Sequence, residues 1–109
     1  MTFEEFKEKL EGICLIEVSG ESCANCLTLL PLVNKLVGER DDCKFFHIEA
    51  GFDTKELVTG FGIVEVPTLL VCLDGKEVAR CKGFVPEEIL SLWIDAKIEN
   101  CKKLMGEKK

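Results

Sequence analysis

The sequence predicts an α/β protein built on one mixed four-stranded sheet with helices on both faces. Three observations carry that expectation. Apolar residues switch between helical spacing and strand-like runs, in the order helix, strand, helix, strand, helix, strand, strand, helix. The strand–helix–strand unit near the start calls for a parallel pair joined by a right-handed crossover. The last two strands flank Asp74-Gly75-Lys76, a tight-turn signal that makes them an antiparallel hairpin. A sheet holding both kinds of pair is mixed, and its apolar faces need helices on each side.

Each element has its own signal. Thr2 with Glu5 is a capping box, Phe3, Phe6 and Leu10 follow at helical spacing, and Gly12 ends the first helix. Ile13 to Val18 is an apolar run read as a buried strand. Ser19-Gly20-Glu21-Ser22 is read as a loop, and a second helix is expected from Ala24 to Val37, stopped by Gly38. Pro31 lies inside that helix and should kink it, because proline lacks the backbone donor and crowds the preceding turn. Lys44 to Ile48 is a short strand. Asp53 with Glu56 is read as the cap of a short third helix through Leu57, Val58 and Phe61. The hairpin pairs Thr68–Leu73 with Glu77–Cys81. With Gly75-Lys76 as its loop, Cys72 would face Ala79 and Cys81 would face Leu70, too offset for a disulfide. Pro86 opens the last helix, whose apolar stripe is Leu90, Trp93, Ile94, Ile98, Cys101 and Met105.

Composition narrows the functional classes. A chain of 109 residues, 47% hydrophobic, is expected to be one domain (residues 1–109) with its own packed core. Twenty acidic against 14 basic residues give a net charge of −6, which disfavours a nucleic-acid surface. The one basic cluster, Lys102-Lys103 with Lys108-Lys109, reads as a solvated tail. No apolar run reaches the roughly 18 residues of a membrane span, and the charged first 12 residues carry no apolar leader core. The seven cysteines are odd in number and five are scattered, unlike a secreted disulfide scaffold. Cys14 and Cys72 fall inside strand patterns and read as small core residues. A reducing cytosol is the compartment this usage suits.

Cys23 and Cys26 differ from the other five. They sit two residues apart at the junction of a strand and a helix. A thiol at a helix start faces unpaired N–H groups and the positive end of the helix dipole, and both favour the reactive thiolate. A second thiol one turn on can displace a mixed disulfide formed by the first. The spacing in this setting marks a dithiol–disulfide site. A zinc site would need two further ligands at compact spacing, and no second such pair exists. A redox-inert or metal-binding interaction module stays open as a different class of function, the metal form holding zinc or an iron–sulfur cluster on Cys23 and Cys26 of two chains across a dimer.

These residues resemble the thioredoxin family. The match rests on Cys23-Ala24-Asn25-Cys26 between strand and helix, Pro31 five residues after the second cysteine, and Val66-Pro67-Thr68, with Pro67 41 positions after Cys26. Gly75 and Gly83 fit the same pattern, and the resemblance runs from about residue 2 to residue 100. Ser22 stands where thioredoxins have tryptophan, and Ala24-Asn25 replaces their Gly-Pro, so a redox potential does not carry over. The first helix begins almost at Thr2, so a version trimmed to four strands is expected.

The resemblance implies the thioredoxin fold and a thiol–disulfide oxidoreductase that reduces protein disulfides in the cytosol. Cys23 would be the nucleophile and Cys26 the resolving thiol, closing a Cys23–Cys26 disulfide. Glu17 matches the buried acid that thioredoxins place beneath the second cysteine; strand alternation leaves a solvent-facing placement open. His47, the single histidine, aligns near a lysine beside that acid. It is either the partner of Glu17 in a proton relay working near neutral pH or an ordinary strand histidine. Pro67 would be the family's cis-proline, letting Val66 offer its backbone to an extended substrate. Val66, Pro67, Thr68, Ala24 and Asn25 would then line the substrate site. No cofactor or metal is expected. The partners implied are protein disulfides and a thioredoxin-reductase-like electron donor, with no nucleic acid and no membrane, and the protein is expected to be a monomer.

Overall fold

A computed structural model describes residues 1–107; Lys108 and Lys109 of the basic tail lie outside the described residues. The elements are α1 (Phe3–Glu8), β1 (Ile13–Gly20), α2 (Ala24–Gly38), β2 (Lys44–Ala50), a 3-10 turn (Phe52–Thr54) leading into α3 (Lys55–Gly60), β3 (Thr68–Leu73), β4 (Lys76–Lys82) and α4 (Glu87–Glu107). They match the expected order. The strands lie in the order β2-β1-β3-β4, with β1 parallel to β2, antiparallel to β3, and β3 antiparallel to β4.

The two continuous apolar runs take the two central places. β1 is buried from Ile13 to Ser19, and all of β3 is buried. A strand covered on both faces reads as a near-continuous apolar run rather than an alternating one, and the polar exceptions here, Glu17, Ser19 and Thr68, are buried with it. Odd-numbered residues of β1 face one core layer, where Leu15 meets Leu29 and Val33 of α2 and Ile94 and Ile98 of α4. Even-numbered ones face the other, where Cys14, Ile16 and Val18 meet Phe6, Leu10, Leu57 and Phe61 from α1, α3 and their flanks.

The capping box of α1 forms as expected: Glu5 N–H donates to Thr2 Oγ1 at 3.1 Å and Thr2 N–H to Glu5 Oε1 at 2.8 Å. The box expected at Asp53 and Glu56 does not. A 3-10 turn intervenes, stapled by Thr54, whose hydroxyl accepts from Gly51 N–H at 3.0 Å and donates to the Glu49 carbonyl at 2.6 Å. Glu56 instead accepts the Phe3 N–H at 2.7 Å, because α3 packs beside the start of α1. Pro31 lies within an unbroken α2 and is exposed.

The hairpin turns one residue earlier than expected. Asp74 and Gly75 both have positive φ, 50° and 83°, the conformation a two-residue type I′ turn needs. Leu73 therefore pairs with Lys76 and Cys72 with Glu77, and a bulge then puts Val71 against Ala79 and Leu69 against Cys81. Cys72 belongs to the layer under α1 and Cys81 to the layer under α4, so both are free thiols on opposite faces. Asp74 also binds the α1–β1 connection, accepting the Gly12 N–H at 2.8 Å and donating its own N–H to the Gly12 carbonyl at 2.9 Å.

The stripe of α4 is buried at Leu90, Ile94, Ile98 and Cys101, while Trp93 is half-buried at its margin. Met105 leaves the core and is 44% exposed. Twenty-one helical residues span about 31 Å, and the strands beneath, of six and seven residues, span about 20–23 Å. Arg40 bridges Asp42 and Asp95, and Lys102 reaches Asp42 at 2.8 Å, tying the α2–β2 loop to α4. Arg40, and then Lys102, hold the Asp42 carboxyl well below the usual carboxylate range.

Gly60 is set by a close approach. A Cβ there would come within 2.4 Å of the Phe3 ring, which also stacks edge-on against Phe61 at 4.8 Å. Helix propensity favours alanine by about 1 kcal/mol, but overpacking a fixed ring costs about 1–3 kcal/mol. Gly60→Ala is therefore expected to destabilise the protein, seen as a lower urea midpoint; an unchanged or higher midpoint would mean that α1 moves freely on α3.

Candidate active site

The chain leaves β1 at Gly20, and Ser22 adopts a left-handed conformation, φ 56°. This turn aims Cys23 at the start of α2. Cys23 is the N-cap, and its Sγ accepts the Cys26 backbone N–H at 3.2 Å. N-caps are usually serine, threonine, aspartate or asparagine, whose oxygens take that N–H; here sulfur does. The first turn of α2 carries no acidic residue to oppose charge on that sulfur. Hydrogen bond and helix dipole together favour a thiolate at Cys23. Cys26, one turn on, is 4% exposed against a half-buried Cys23. The two are joined as a disulfide with Cα atoms 5.3 Å apart.

The other thiols sit in the opposite environment. Cys14, Cys72 and Cys101 are fully buried, and burial pushes the Cys72 thiol up to about 12. Burial likewise raises Cys14, Cys43, Cys81 and Cys101. A thiol that stays protonated is a poor nucleophile.

A groove of about 520 Å³ opens beside the disulfide, with Ser19, Glu21, Leu27, Leu30, Pro31 and Glu49 among its walls. Ala24 also lines it, and Asn25 is exposed in the same first turn. Leu27 is 80% exposed, an apolar side chain held at the rim. The Val66–Pro67 bond is cis, Pro67 is buried, and the Thr68 hydroxyl donates to the Glu65 carbonyl at 2.7 Å. Val66 rests on Gly20: a Cβ on that glycine would come within 2.9 Å of Val66 Cγ2. The segment expected to receive substrate thus abuts the loop that carries Cys23.

Glu17 is 0% exposed, so it does not face solvent. It lies on the odd-numbered face of β1, the one covered by α2, and the parallel register sets it opposite His47. Ser19 Oγ donates to its carboxylate at 2.7 and 2.8 Å, and His47 Nδ1 lies 3.0 Å from Oε1. Burial raises this carboxyl group's pKa, and the bonds from Ser19 and His47 oppose the rise without reversing it. Two site neighbours escaped sequence reasoning: Ser19, and Glu49, whose Oε2 lies 3.2 Å from His47 Nε2. Each stands two residues along a strand from a named residue, and the two-residue period of strands would have found both.

Folding makes Glu17 keep its proton to a higher pH than the unfolded chain does. The stability this gives is complete below the ordinary carboxyl value of about 4.3 and is lost as pH rises through the raised folded value. Glu17→Gln cannot ionise, so its stability relative to wild type is expected to grow between pH 5 and pH 8. Urea midpoints at the two pH values measure this; a gap that does not widen would mean that the buried carboxylate forms at no cost.

Comparison with known proteins gives the same answer as the geometry. The Thioredoxin family model matches residues 1–96. The thioredoxin of Bacillus subtilis (strain 168) is 32% identical over 84 residues, covering 76% of this chain and 80% of that one. That of Listeria monocytogenes is 30% identical over 90 residues, covering 82% and 84%. Among solved structures, Chlamydomonas reinhardtii thioredoxin f2 superposes with a TM-score of 0.73 over 84% of this chain and 89% of that one; at 22% identity this likeness concerns the fold. With its Cys23–Cys26 pair at the start of α2, the chain belongs to the thioredoxin family and is a thiol–disulfide oxidoreductase.

Proposed function

We propose that the protein works as a one-domain, monomeric reductant of protein disulfides in a reducing cytosol, recharged by a thioredoxin-reductase-like donor. The observation that carries this reading is the Cys26 N–H donated to Cys23 Sγ at the head of α2, which favours a thiolate there. In the dithiol state, Cys23 Sγ attacks one sulfur of a substrate disulfide. The substrate S–S bond breaks, its other sulfur leaves as a thiolate and is protonated by solvent, and a mixed disulfide remains. Cys26 then loses its proton to Glu17 and attacks Cys23 Sγ. The mixed disulfide breaks, the second substrate sulfur leaves, and two electrons have passed from the dithiol to the substrate.

Glu17 suits the role of base because burial raises its pKa toward the working range, and it lies on the face of β1 that α2 covers. His47, 3.0 Å away, is the next carrier of the proton. Substrate would lie extended along Val66, Pro67 and Thr68, with Ala24 and Asn25 touching it from the first turn of α2. Those two residues differ from the usual Gly-Pro, so the potential and the preferred partner are this chain's own.

Insulin reduction with dithiothreitol as electron source tests the reading. Wild type is expected to bring insulin turbidity on well before dithiothreitol alone, and Cys23→Ser to fall back to the uncatalysed rate. Cys26→Ser should instead accumulate a mixed disulfide on Cys23. Equal turbidity for wild type and Cys23→Ser, or zinc or iron bound at one per two chains without turnover, would overturn it.

A further inference from the structure

His47 is the one histidine of the chain, and both of its ring nitrogens face carboxylates. Nδ1 lies 3.0 Å from Glu17 Oε1 and Nε2 lies 3.2 Å from Glu49 Oε2. A neutral imidazole has one N–H and one lone pair, so the protons of this triad are tightly limited. In one arrangement Nε2–H donates to Glu49 and the Nδ1 lone pair accepts from a protonated Glu17. In a second, both N–H groups donate and both carboxylates are ionised. The two hold the same number of protons and differ only by one proton moved along the 3.0 Å contact. A third, with Nδ1–H on Glu17 and a bare Nε2, sets a lone pair against the Glu49 carboxylate and is repelled.

We propose that Glu49 is a positioning residue: by accepting the Nε2–H of His47, it holds the imidazole in the forms that trade a proton with Glu17 through Nδ1. This rests on the reading of Glu17 as the base for Cys26. The path then runs from the buried Glu17 through His47, whose side chain is 32% exposed, to Glu49, whose side chain is 60% exposed on the groove wall. Around the pair, β1 contributes Glu17 and Ser19, and β2 contributes Glu49. The α2 helix offers Cys26 and no charged side chain before Lys35, which pairs with Glu87. The groove's other carboxylate is Glu21.

With a single histidine, ¹⁵N labelling of the oxidised protein yields one pair of ring signals, whose positions report which nitrogen carries a proton. At pH 8 wild type is expected to keep Nε2 in the N–H form. Glu49→Ala is expected to lose that preference and move the ring toward the form with Nδ1–H and a bare Nε2, because the lone pair no longer meets a carboxylate. Glu21→Ala removes an equal charge and is expected to leave the tautomer in place. The proposal falls if Glu49→Ala keeps the wild-type tautomer, or if Glu21→Ala changes it as far. The pH profile of insulin reduction gives a separate reading. A profile that changes with the tautomer supports the path. One that stays put while the tautomer changes keeps the positioning by Glu49 and removes Glu17–His47 from the reaction. A wild type without turnover at any pH defeats the reductase reading and leaves the tautomer to decide the positioning.

Discussion

The burial of β1 on both faces is the constraint that orders the rest of the molecule. An eight-residue strand that shows almost no surface must be paired on both edges and covered above and below. Pairing fixes β2 and β3 beside it, one parallel and one antiparallel. Coverage brings α2 and α4 to one face, and α1 and α3 to the other. The strand also ends at the site: two residues, Glu21 and Ser22, separate Gly20 from Cys23, the N-cap of α2. The scaffold that organises the core therefore fixes the position of the Cys23 sulfur.

Seven residues of one type divide into two chemistries by position alone. Cys23 lies where backbone N–H groups are unpaired and point outward, so negative charge on sulfur is stabilised. Cys14, Cys72 and Cys101 lie where there is neither water nor a donor dipole to support charge, and they stay protonated. The same exclusion of water acts in the opposite functional sense on Glu17. It makes a carboxylic acid that holds its proton at a pH where exposed carboxyls have lost theirs. Position alone thus separates a sulfur at a helix start, where charge is supported, from thiols that burial holds in the neutral form.

Much of the fold could be read from pattern. Element order, the capping box at Thr2 and the buried runs of β1 and β3 are local properties, written in spacing and residue type. Pattern and structure part where distant segments compete for the same group. Glu56 has the spacing of a local cap, but α1 presents an N–H that it serves instead. The hairpin turns one residue earlier than the Gly75-Lys76 pattern suggests, because Asp74 accepts a left-handed conformation while also bonding Gly12 across the sheet end. Met105 has the spacing of the stripe but lies at its margin, lining an open hollow with Ile13 and Cys43.

The site divides in the same way. The sequence by itself determined the chemistry: two thiols a helical turn apart at a strand–helix junction, an acid in an apolar strand, and a proline just before another strand. These depend on neighbours in the chain and on the short-range electrostatics of a helix end. Only the tertiary structure decided that Glu17 is buried rather than solvated, that His47 is its partner, and that Ser19 and Glu49 complete the chain of contacts. Which residues meet across β1 and β2 depends on parallel register and on which face α2 covers. Register is chosen by the fit of whole apolar faces, a sum over many distant contacts that no short stretch of sequence contains.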